Sequence, residues 1–216
     1  MGIIKLSDNK FRWTFGNNKI FMEFISRLGL TNLISKDNNG IEASSIKLLS
    51  ELVPMNYELC EKLILQIGLQ IMVLQDNKKG LLFFKLNDII VIDNDNFLLI
   101  NLDHALNMDA NNNLVLTYPI NMGANEMGAN EIGPNEIGPN DDKMFLSPEV
   151  QHALVDSKEK VLPFVTPITC GYYSLANLCI YCLQIETLDP IMSSKMYYFF
   201  ERCLVNDPDD RFFFYI

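Results

Sequence analysis

With 216 residues, 49% of them hydrophobic and 20% charged, the chain has ample material for a core of its own, which excludes a disulfide-stapled miniprotein and a wholly disordered polymer. Acidic side chains outnumber basic ones by 27 to 17, and the formal charge of -10 carries no basic cluster, so nucleic-acid and anionic membrane-surface partners are disfavoured. The longest apolar run, 63–74, is interrupted by Gln66, Gly68 and Gln70 and is too short to span a bilayer. Residues 1–10 lack the basic flank and apolar stretch of a secretory signal, and a cytoplasmic setting is expected.

Alternation in Lys10-Phe11-Arg12-Trp13-Thr14-Phe15 predicts a strand, closed by the turn Gly16-Asn17-Asn18. Ile20, Phe21, Phe24, Ile25 and Leu28 then recur at helical spacing, with Gly29 as a stop. A second helix is predicted over 44–52, with serine at its start, Ile46, Leu48, Leu49 and Leu52 as apolar positions, and Pro54 beyond it. The segment before residue 56 therefore reads mainly as helix. A long helix over 56–75 is apolar on most of its circumference and is expected to be buried among other elements.

Two runs of bulky residues follow, Ile89-Ile90-Val91-Ile92 and Phe97-Leu98-Leu99-Ile100. The Asp93-Asn94-Asp95-Asn96 between them predicts a hairpin with a four-residue turn. From Met122 a five-residue unit is repeated four times, MGANE, MGANE, IGPNE and IGPND; it is acidic, rich in Gly and Asn and poor in bulky groups, so a surface loop at about 121–142 is expected. An apolar helix is predicted over 172–183 and an amphipathic one over 194–204. The five cysteines, Cys60, Cys170, Cys179, Cys182 and Cys203, are odd in number and sit on apolar stretches, which suits free packed thiols, Cys179-x-x-Cys182 included. With only His104 and His152 as histidines, no metal centre is expected.

The order of these elements, with Asp103 in a turn, Ser147-Pro148-Glu149 after the repeat, an apolar helix and a closing Asp207-Pro208-Asp209-Asp210-Arg211, resembles the C-terminal lobe of the protein kinases over about three quarters of the chain. The resemblance implies an α+β, mainly helical fold, with a degenerate N-terminal region at 1–55 and a kinase-like C-lobe at 56–216. Leu102-Asp103-His104-Ala105 is similar to the Asp-Phe-Gly turn, which implies Asp103 as its magnesium-binding aspartate. Ser147-Pro148-Glu149 is similar to Ala-Pro-Glu, and Glu149 and Arg211 are then expected to meet as a shielded ion pair.

Other positions depart from the family. Leu81-Leu82-Phe83-Phe84-Lys85-Leu86-Asn87-Asp88 falls over the catalytic loop, so Phe83 replaces the catalytic aspartate, Asp88 takes the second metal position and Lys85 keeps its identity. A phenyl ring cannot orient a substrate hydroxyl or accept its proton. Gly171 replaces the aspartate that anchors the catalytic loop, and no glycine-rich nucleotide loop is present. The chain thus resembles a pseudokinase, and its asparagine-rich composition resembles kinase-like proteins of large DNA viruses, which would place it in the host cytoplasm or virion.

The function implied is a catalytically inactive component that binds a protein partner or serves structurally, with no cofactor. The alternative is an atypical kinase or nucleotide sensor that holds ATP and Mg²⁺ through Lys85, Asp88 and Asp103. A plainer role for the two aspartates is local, Asp88 capping the hairpin loop and Asp103 satisfying backbone amides at its turn.

Overall fold

The structure is a computed structural model that describes residues 2–16, 18–117, 142–156 and 162–213. The repeat block, 122–141, lies outside the described residues. The fold is α+β, built on five α-helices and ten short antiparallel strands among the described residues.

Strands β1 (Ile3–Ser7), β2 (Lys10–Thr14) and β3 (Gly40–Ala43) form a meander, with helix α1 (Lys19–Arg27) between the second and third. The alternation that predicts β2 sends Trp13 inward, where its ring meets Phe15 at 5.4 Å and the edge of Phe21 at 5.2 Å. Asn18 caps α1 by accepting the Ile20 amide at 3.0 Å.

The helix expected over 44–52 is not formed. Its place is taken by β4 (Ile46–Leu48) and a single 3₁₀ turn, Leu49–Leu52. The Ser44 hydroxyl donates to Asp93 Oδ1 at 2.6 Å instead of capping a helix. Ile46 and Leu48 pair with Ile92 and Ile90 of a later strand. A ladder partner distant in the sequence outweighs the weak local preference of nine residues. The segment before residue 56, read as mainly helical, in fact holds four strands and one α-helix.

Helix α2 (Tyr57–Asp76) starts at Asn56, whose side chain accepts the Leu59 amide at 2.8 Å. Cys60, Leu63, Ile64, Ile67, Ile71 and Leu74 form its buried face. Gln70, a polar interruption in the sequence, is fully buried: its amide nitrogen donates to Phe97 O at 2.9 Å and its oxygen accepts Leu99 N at 2.8 Å. The expectation that α2 is buried among other elements holds for that face, while Leu65, Leu69 and Met72 on the opposite side are exposed.

Strand β5 (Lys79–Leu81) leads to β6 (Ile89–Ile92) and β7 (Asn96–Leu99), which pair as the expected hairpin. Asn96 pairs with Ile92, so the loop is three residues and not four, with Asp93 and Asn94 in the left-handed region at φ 50° and 72°. Strand β8 (Ala105–Asn107) pairs with β5, and β9 (Asn113–Leu116) pairs with β10 (Phe164–Pro167).

Helix α3 (Pro148–Gln151) continues into a π turn, His152–Asp156. Helix α4 (Cys170–Leu183) packs on α2, and α5 (Lys195–Cys203) begins at Ser194, whose hydroxyl accepts the Tyr197 amide at 3.1 Å. Tyr172, Phe199 and Phe213 share a ring cluster at 5.6 and 5.8 Å, and a Cβ placed on Gly68 of α2 would lie 2.2 Å from the Phe213 ring. The large core joins Trp13 and Phe21 to Leu63, Ile90, Leu178 and Phe199, crossing position 55 without a break. All five cysteines are free and buried, and burial pushes the thiols of Cys179, Cys182 and Cys203 up. No helix among the described residues is long and apolar enough to cross a membrane.

Candidate functional site

The loop after β5 is held from three sides. The Leu82 amide donates to His104 O at 3.0 Å, continuing the β5–β8 ladder. The N-terminal turn of α4 sits against it: Cys170 Sγ donates to Leu81 O at 3.4 Å, and the Ser174 hydroxyl both accepts Phe84 N at 3.1 Å and donates to Phe84 O at 3.0 Å. Burial, with the Glu149 carboxylate adding to it, pushes the Cys170 thiol up and keeps it protonated for that bond. A Cβ on Gly171 would stand 3.0 Å from Leu81 O, so the missing side chain lets helix and loop approach closely. Ser174 and Cys170 thus anchor the backbone of this loop, and Gly171 between them contributes no side chain.

Phe83, where the resemblance puts the catalytic carboxylate, is buried and stacks on His104 with ring centroids 4.0 Å apart and planes 24° from parallel. It belongs to a second, smaller core with Leu82, Leu106, Leu114, Leu146 and Val150. The phenyl ring packs on the imidazole and supplies no carboxylate of its own to orient a hydroxyl or take its proton.

Asp88 is almost fully buried in the 3₁₀ turn Leu86–Asp88, and both of its oxygens are engaged. Oδ2 accepts Lys85 N at 2.9 Å and Oδ1 accepts Asn101 Nδ2 at 2.9 Å. Burial pushes its pKa up, against the pull of those two bonds and of His104 and Lys85 nearby. The main-chain carbonyl of Asp88 accepts Ile100 N at 2.8 Å, tying the loop to the end of the hairpin.

Asp103 is exposed, and the amide of its turn is satisfied by Asn101 Oδ1 at 2.9 Å. The turn acceptor expected at Asp103 is therefore Asn101, which serves both aspartates and which periodicity in the sequence does not reveal. Two cavities of about 470 and 460 Å³ lie elsewhere, the first beside Tyr57 and Met192, the second beside Lys79 and Asn107; Lys85, Asp88 and Asp103 line neither.

Glu149 and Arg211 are brought together although 62 positions separate them. Arg211 Nη1 and Nη2 donate to Oε1 and Oε2 at 2.7 and 2.9 Å in a bidentate pair. Nε and Nη2 also donate to Val205 O and Asn206 O, and the guanidinium lies 4.8 Å from the Tyr173 ring centroid. Ser147 Oγ donates to the same Oε1 at 2.7 Å. No protein-family model matches the chain, and no curated protein matches it.

Proposed function

We propose that the protein is a catalytically inactive, kinase-like chain that works by binding another protein or as a structural component. The observation that carries this reading is the buried phenyl ring of Phe83, packed on His104 at the position where the resemblance would put the carboxylate of phosphoryl transfer. The engagement of Asp88 supports it: a carboxylate buried, with both oxygens already accepting hydrogen bonds and its pKa pushed up, is a poor ligand for Mg²⁺.

The test is a melting titration with Mg-ATP together with a transfer assay using labelled phosphate. A ligand at a hundredfold excess over its Kd stabilises the native state by about 2.7 kcal/mol, which melting detects readily. The expected result is neither a shift nor transfer. A shift that disappears in both Asp103→Ala and Lys85→Ala replaces this reading with a nucleotide sensor, and transfer lost in the same variants replaces it with an atypical kinase.

A further inference from the structure

Helix α2 presents a face that no other described residue covers. Glu58, Glu61, Leu65, Leu69, Met72 and Asp76 fall on one side at helical spacing. Leu65, Leu69 and Met72 remain 43%, 41% and 50% exposed, while the opposite side is packed in the core. A surface helix ordinarily carries polar side chains at such positions, so a contiguous apolar row marks a contact to be made.

N-terminal to Leu65 the same side carries Glu61 and Glu58. At its N-terminal end it runs into the groove of about 470 Å³, whose lining includes Tyr57, Ile191, Met192 and Met196 with Glu58 and Glu61 beside them. Tyr57 and Met192 expose 47% and 60% of their surface there. From Tyr57 to Met72 the helix rises roughly 22 Å, or about four turns of a helix laid alongside.

The charges around this face choose among occupants. Glu58 and Asp76 are exposed, one at each end of the row. Lys62, on its flank, is paired with Asp95 at 3.0 Å, and Lys195 stands at the groove. A second copy would bring the same terminal carboxylates and another -10 of net charge, and an anionic bilayer is repelled likewise. We propose that this face docks a cationic amphipathic helix from a different protein. Its aliphatic side chains at i, i+3 or i+4 and i+7 would cover Leu65, Leu69 and Met72, a bulky apolar residue would enter the groove beside Met192, and Lys or Arg would approach Glu58 and Asp76. The proposal rests on the binding-component reading and gives that partner a chemistry.

The test uses the full chain with methyl-labelled methionine and an 18-residue Leu/Lys peptide patterned as an amphipathic helix. A scrambled Leu/Lys peptide and a Leu/Glu peptide of the same pattern serve as controls. The patterned cationic peptide is expected to shift the Met72 and Met192 methyl signals together, with an affinity that falls as salt rises. Leu69→Gln is expected to weaken it about tenfold, and Glu58→Gln with Asp76→Asn to flatten the salt dependence. All three substituted side chains are exposed, and an unchanged melting temperature shows that the fold is intact.

Equal binding of the scrambled peptide, indifference to Leu69→Gln, or binding that leaves Met72 and Met192 unmoved would each overturn the proposal. So would Met72 shifts that grow with protein concentration alone, which indicate a second copy, or shifts on anionic vesicles, which indicate a membrane. The nucleotide experiment is independent. Loss of docking with no response to Mg-ATP leaves the inactive reading standing, and a response to Mg-ATP with docking intact sinks that reading alone.

Discussion

The socket around Arg211 and the loop from Leu81 to Asp88 face the same N-terminal part of α4, yet they use polarity in opposite ways. In the socket one guanidinium reaches two carboxylate oxygens and two main-chain carbonyls, with an aromatic face beside it. In the loop the polar contacts fix the backbone through Ser174, Cys170 and Asn101, and the side chain at position 83 is a phenyl ring. The polar groups at both places hold the shape of the chain. The difference teaches that hydrogen bonds can fix the backbone of a loop strictly while the side chain at its centre is apolar.

The socket should be the costlier to break. Arg211→Ala leaves Glu149, already partly shielded, without its partner, and a loss of about 3 to 5 kcal/mol is expected in denaturant unfolding. Arg211→Lys should recover little of it, because an ammonium cannot span both oxygens and reach the two carbonyls. A loss below about 1 kcal/mol would show that the socket does not brace the fold.

The loop should follow with Phe83→Ala at about 3 kcal/mol, the ordinary cost of emptying a buried aromatic site. Ser174→Ala removes both bonds to Phe84 and leaves a buried amide without its acceptor, for about 1 to 3 kcal/mol. If that variant is as stable as the parent, the loop is held by its ladder to β8 and not by α4.

The smallest effect concerns the sign of a titration. Because burial raises the pKa of Asp88 in the folded chain, the ionised group disfavours folding, and stability should rise as the pH falls from above the raised value toward the ordinary carboxylate range. Asp88→Asn lacks that titration, so the melting temperature of the parent minus that of the variant should grow on acidification. A difference that shrinks would mean that the Lys85 and Asn101 bonds to the carboxylate outweigh its burial.

Apolar periodicity over nine residues or more is the readable part of this fold: α1, α2, α4 and α5 all lie where their apolar spacing puts them. The three-residue strands β4, β5 and β8 are too short to carry a pattern, and β4 exists because β6, some forty residues later, supplies its ladder. The socket was legible because its two partners sit in recognisable sequence contexts, Ser147-Pro148-Glu149 and Asp207-Pro208-Asp209-Asp210-Arg211. Asn101, Ser174 and His104 were not, since each acts through a contact that exists only after distant segments meet. The exposed row on α2 was missed for another reason: an apolar helix carries no mark of which apolar side the fold will leave open.

The ring of Phe213 over Gly68 has a consequence for the order in which the molecule can be completed. Synthesis delivers Phe213 well after α2, so until position 213 emerges the hollow at Gly68 has no filler, and Tyr172 and Phe199 lack the ring that joins them. A nascent chain halted before Phe213 therefore presents an open aromatic cleft of the kind that chaperones retain. Closure of the helical core is tied to the arrival of Phe213, and a series of released chains cut on either side of position 213 would register that closure as a single step.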